Sequence, residues 1–126
     1  MTTTGQHFIC ELWNCDPVAL STKDTLEALA IKAAEATGAT VLGTLCHQFS
    51  GGGLTIIVLL SESHLSLHTF PEDEFRKYCA VDAFTCGSVC TPSKALPVLI
   101  EGLKAQDVSS IRLERGIGPG IESRVV

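Results

Sequence analysis

Residues 58–72 read VLLSESHLSLHTFPE and gather Glu62, Ser63, His64, Ser66, His68 and Glu72 into one short stretch. A serine hydroxyl attacks a carbonyl only when a base takes its proton, and a serine preceded by a carboxylate and followed five residues later by a histidine leaves a Ser–His dyad possible. Asp82 is available as a third, orienting group. The nucleophile elbow GxSxG is absent, because Ser63 sits in Ser-Glu-Ser-His-Leu. On spacing alone the plainer reading of His64 and His68 is strand residues with satisfied ring nitrogens. A zinc site can be assembled on paper from His64, His68, Cys86 and Cys90. Both pairs are separated by three residues and the chain has no CxxC. Buried thiols, and no metal, are therefore the expectation.

These groups must be held by a fold that 126 residues can build as a single domain, residues 1–126. Nine basic against fourteen acidic residues, a formal charge of -5 and no basic stripe argue against a nucleic-acid footprint. The longest clean apolar run, LTIIVLL at 54–60, is seven residues, against the roughly twenty needed to span a membrane. The N-terminus, MTTTGQHFICELWNCD, lacks the basic start and apolar stretch of a secretory signal. The expectation is a cytosolic chain that binds neither nucleic acid nor membrane, its six cysteines unbridged.

Strand patterns cover Gln6–Trp13, Thr40–Gln48, Leu54–Leu60, His64–Phe70, Cys79–Cys86 and Asp107–Glu114. The continuous apolar run of the third predicts burial on both its faces. In the fourth, alternation puts His64, Ser66, His68 and Phe70 on one face. Asn14-Cys15-Asp16-Pro17 reads as a turn. Ser21-Thr22-Lys23-Asp24 has capping-box form before a helix with Leu26, Leu29, Ala30 and Ala33 on one side, ended by Gly38. A second helix lies within Pro92–Lys104, with Pro97 complicating its start. The GxGxG of the tail precedes no helix and is not a phosphate loop. This order predicts an α+β two-layer sandwich, a mainly antiparallel sheet with two helices on one face. A short match between Glu11-Leu-Trp-Asn-Cys15-Asp and Asp82-Ala-Phe-Thr-Cys86-Gly hints at internal duplication.

SESHLSLHTFPE followed by VDAFTCG closely resembles the self-cleaving, pyruvoyl-dependent S-adenosylmethionine decarboxylases of bacteria and archaea. GQHFICELWNCD and TLCHQF are similar to the family as well. The resemblance implies that Ser63 attacks the carbonyl of Glu62 and that His68 removes the Cα proton of residue 63. The chain would then part into residues 1–62 and 63–126, the second piece capped by a pyruvoyl group made from Ser63. Thr55 matches an assisting hydroxyl. The pyruvoyl ketone would form a Schiff base with the substrate amine and act as the electron sink, with Cys86 matching the proton donor. Phe49 and Phe70 fall where the family sandwiches adenine, and Glu72 where a carboxylate holds the ribose.

The resemblance further implies homodimers or larger assemblies with sites shared between protomers, and a product that feeds spermidine synthesis. After HTFPE the chain departs from the family with the longer loop DEFRKYCAVD. Its extra acids also suit a cationic substrate, so pyruvoyl-dependent arginine or ornithine decarboxylation is an alternative. An unprocessed, non-catalytic homologue acting as a binding or regulatory partner is another.

Overall fold

A computed structural model describes residues 4–72, 76–87, 89–119 and 121–125, with 122–125 described through their backbone alone. The strands are β1 (Gly5–Trp13), β2 (Val41–Gln48), β3 (Leu54–Leu60), β4 (Ser63–Phe70), β5 (Tyr78–Cys86), β6 (Asp107–Arg115) and β7 (Glu122–Val125). They form one antiparallel sheet in the order β2-β3-β4-β5-β1-β6-β7. Helices α1 (Pro17–Ser21), α2 (Lys23–Ala36) and α3 (Ala95–Leu103) make the second layer, as the α+β reading expected. No helix among the described residues is long and apolar enough to cross a membrane.

Alternation along the strands decides the sidedness of the sheet. Phe8, Cys10 and Leu12 of β1, Ile56 and Val58 of β3, Leu65 and Leu67 of β4, and Val81 and Ala83 of β5 point into the core. There they meet Leu26, Ala30 and Ala33 of α2 and Leu99 and Leu103 of α3. Leu67, fully buried on a central strand, is a clean test of this packing. Leu67→Ala is expected to cost about 2–5 kcal/mol of stability, read by denaturant unfolding.

Three local readings change. The predicted turn at Asn14–Pro17 instead opens α1: the Asp16 carboxylate accepts from the Val18 N–H at 3.1 Å, and Pro17 occupies the first helical position. The capping box does not form, because α1 ends where α2 begins. The Thr22 hydroxyl turns back to donate to the Val18 carbonyl at 2.7 Å. β3 is buried on one face only. Leu54, Ile56, Val58 and Leu60 are covered, whereas Leu59 on the other face is 55% exposed, because the helices form a single layer on one side of the sheet. Pro97 is the third residue of α3, within the first turn, where a missing N–H leaves no intrahelical bond unmade.

The two segments of the short internal match lie on β1 and β5, neighbouring antiparallel strands. Their surroundings differ, Cys15 being buried and Cys86 exposed.

Candidate active site

The sheet face that carries no helix holds nearly all the polar chemistry, in two groups at opposite ends of β4. The first surrounds the β3–β4 turn. Leu60 pairs with Ser63, leaving Ser61 and Glu62 as a two-residue turn. Such turns favour positive φ at their central residues, yet neither adopts it; the positive φ falls on Ser63, at 144°. Asn14, Lys77 and Lys104, at 55°, 43° and 53°, sit in the ordinary left-handed basin. Ser63 lies outside that basin, in backbone that costs a non-glycine residue on the order of 1–3 kcal/mol.

The peptide bond before this strained residue is held at its oxygen. The Glu62 carbonyl accepts from the backbone N–H of Cys86 at 2.8 Å. The Glu62 carboxylate accepts from the Thr40 N–H at 2.9 Å. That backbone bond, followed by the Ser61 hydroxyl, holds its pKa below the usual value. Cys86, at the end of β5, is exposed. Thr85, which pairs with Ser63 across the ladder, keeps its hydroxyl buried with no hydrogen-bond partner among the described residues.

Next to Ser63 the structure forms a Ser–His pair oriented by Asp82, but with the adjacent His64 rather than the histidine five residues on, and it joins His7 and Ser66 to that unit. The Ser63 hydroxyl lies 3.3 Å from His64 Nδ1. Consecutive side chains of a regular strand point to opposite faces, and the unusual φ of Ser63 is what lets these two meet. His64 Nε2 lies 2.9 Å from Asp82 Oδ2, His7 Nε2 lies 2.7 Å from the same oxygen, and the Ser66 hydroxyl donates to Oδ1. Burial alone would raise the Asp82 pKa. The bonds from Ser66, His64 and His7 outweigh it and hold the carboxyl below its usual range. Period-2 alternation could have put His7 on this face, but only the β1–β5 register brings it to Asp82.

The second group lies at the other end of β4. Thr55 and His68 are directly opposed across β3 and β4, with the hydroxyl 3.1 Å from His68 Nδ1. They open into a cleft of about 530 Å³ that Phe49, Phe70 and Glu72 also line. Phe49 and Phe70 are half exposed. Phe70 stacks on Tyr78, centroids 5.5 Å apart, and Tyr78 stacks on Trp13. The Glu72 carboxylate packs against Gly51 so closely that a Cβ there would sit 1.7 Å from Oε2, so only glycine leaves it in place. Within the longer loop, residues 73–75 lie outside those described.

The structure thus brings Glu62, Ser63 and Cys86 together, and separately Phe49, Thr55, His68, Phe70 and Glu72. It does not join the two sets within one chain. Ser63 and His68 are five strand residues apart, about 16 Å. His64 and His68, about 13 Å apart by the same rise, cannot share one ion in the zinc set drawn on paper. Chemically, the first group can transfer its own acyl group to a hydroxyl, and the second can hold a flat, polar-edged ligand beside an imidazole.

Residues 6–116 match the family model described as S-adenosylmethionine decarboxylase. The chain is 39% identical over 117 residues to an S-adenosylmethionine decarboxylase proenzyme of Methanococcus maripaludis (strain C5), covering 93% of each chain. It is 41% identical over 118 residues to a proenzyme of the same name from Bacillus cytotoxicus, covering 94% of this chain and 88% of that one. Its fold is similar to the crystal structure of the adenosylmethionine decarboxylase from Aquifex aeolicus, with a TM-score of 0.83 and 29% identity. That match covers 94% of this chain and 95% of the other.

Proposed function

The chain belongs to the S-adenosylmethionine decarboxylase family, and from that premise we propose that it is a cytosolic proenzyme that cuts itself between Glu62 and Ser63. With the pyruvoyl group so formed it decarboxylates S-adenosylmethionine, releasing the aminopropyl donor used to make spermidine. The observation that carries this reading is the junction itself: a strained Ser63 follows a carbonyl already bonded to the Cys86 N–H. That N–H is positioned to stabilise the oxyanion that forms when a hydroxyl attacks the Glu62 carbon.

The residues present suit a pyruvoyl group at position 63. Such a group has carbonyl oxygens and no donors, and the unpartnered Thr85 hydroxyl opposite is a donor without an acceptor. When formed, a pyruvoyl group supplies a ketone that captures the substrate amine and a conjugated carbonyl that takes up electrons as CO₂ leaves. Cys86, exposed beside Ser63, is the proton donor in this reading. Phe49 and Phe70 hold the adenine by stacking, and Glu72 holds the ribose hydroxyls. His68, with Thr55 on its Nδ1, removes the Cα proton of residue 63 that completes self-cleavage.

The separation of about 16 Å along β4 means that His68 serves the Ser63 of a second copy. Leu45 and Leu59, apolar and exposed on the helix-free face beside the half-buried Ile57, support a homodimer that packs these faces together. The apolar alternation of β3 then has a buried partner on each side.

Intact mass and CO₂ release test the reading. Fragments 1–62 and 63–126, with release from S-adenosylmethionine in preference to arginine or ornithine, are expected; one persistent uncleaved species sinks it. Cys86→Ala should still cleave, since the backbone N–H remains, while turnover falls on the order of 10²–10⁴-fold. Normal turnover in that variant would remove Cys86 from the role of donor.

A further inference from the structure

Nothing in the proposed scheme so far takes the proton from the Ser63 hydroxyl as it attacks. We propose that His64, oriented by Asp82, is the base for this first step, a proposal that rests on the self-cleavage reading above. His64 is the imidazole in contact with Ser63, Nδ1 to Oγ at 3.3 Å. Its other nitrogen lies 2.9 Å from Asp82. A carboxylate accepts and cannot donate, so the proton of neutral His64 is on Nε2, and Nδ1 is bare toward the serine.

His7 explains why Asp82 is kept as an acceptor. Arg115 Nη1 approaches His7 Nδ1 at 3.3 Å. A guanidinium only donates, so Nδ1 of His7 accepts and its proton sits on Nε2, toward Asp82 at 2.7 Å. Ser66 donates to the other oxygen. Asp82 therefore gathers three donors and turns His64 toward Ser63 as the acidic member of a triad turns its histidine.

Two histidines and a carboxylate are also a set that could ligate a metal, and these donor atoms all lie within 4.8 Å of one another. Metal-bound histidines donate their second N–H to an acceptor. His7 instead faces the Arg115 donor, which keeps the proton on the very nitrogen an ion would need. The arrangement suits a proton relay.

The step balances without an outside reagent. The Ser63 hydroxyl proton passes to His64 Nδ1 as the Oγ–C bond forms at Glu62, and the oxyanion is held by the Cys86 N–H. The C–N bond then breaks, and the imidazolium returns its proton to the nitrogen of residue 63. The result is an ester between the Glu62 acyl group and Ser63. Removal of the Cα proton by His68 belongs to the later elimination and leaves this step untouched.

Hydroxylamine separates the two steps, because it cuts an ester at neutral pH and leaves an amide intact. In the full-length chain, His64→Gln keeps a donor for Asp82 but cannot accept the serine proton. Its cleavage is expected to slow on the order of 10²–10⁴-fold, with the unprocessed chain resistant to hydroxylamine. His68→Ala, blocked after the ester, is expected to be cut by hydroxylamine at Glu62. His64→Gly should regain cleavage with added imidazole, which a merely structural residue would not allow. If H64Q fails to fold, Asp82→Asn reads the same step and should accumulate resistant, uncleaved chain. The proposal is overturned if H64Q cleaves at the parent rate, or is cut by hydroxylamine as readily as H68A. A parent chain that never cleaves overturns the self-cleavage reading instead, so the two failures are told apart.

Discussion

Ser63→Ala is expected to remain one chain of 126 residues under every condition in which the parent splits, and to release no CO₂ from S-adenosylmethionine. The loss is complete because the hydroxyl has two uses and no substitute. Its oxygen must form the new bond to Glu62, and the same oxygen must later leave when the Cα proton is removed. Alanine supplies neither. The variant should nevertheless fold as the parent does. Among the described residues Ser63 makes one side-chain bond, to His64, and alanine at a φ of 144° is no more strained than serine. Its stability should stay within about 1 kcal/mol of the unprocessed parent. Mass spectrometry after prolonged incubation, beside a denaturant curve, checks both. A folded S63A chain that still yields the 1–62 fragment would end the assignment.

The second large effect is a gain. S63A has an intact His68 and no hydroxyl; His68→Ala has the hydroxyl and no base. If His68 acts about 16 Å along the strand from its own Ser63, it must act on a second copy, and each variant alone should be silent. Mixed in equal amounts by co-expression, the two should pair at random through a symmetric interface. About half of the H68A chains would then meet a partner carrying His68. Those chains alone should split, recognisable because their 63–126 fragment carries the alanine at position 68. Mixed dimers with no cleavage would show that His68 does not act across protomers. Cleavage of H68A by itself at the parent rate would show that His68 is not needed at all.

How much of this could be read from the chain depends on how local each feature is. Strand faces follow from alternation, and the seven apolar residues of β3 were correctly a strand; burial of its second face failed because one chain puts its helices on one side only. The missed helix α1 turned on whether Asp16 and Pro17 close a turn or open a helix, which rests on how Leu20 packs in the core. The clustering of Glu62, Ser63 and Cys86 was suggested by motif, but nothing local indicated that Cys86 would present its N–H to the Glu62 carbonyl.

What the sequence determined by itself was the chemical vocabulary: a hydroxyl, a carboxylate and imidazoles set close together along a strand, where covalent spacing alone keeps them near. The tertiary structure decided which of them speak to each other. His7 and Asp82 are 75 residues apart and His7 and Arg115 are 108 apart. They meet only because β5 and β6 pair with β1 in one register, and a slip of one residue would turn each to the other face. The same rigid ladder keeps His68 from the serine five residues before it, since an extended strand cannot fold back on itself.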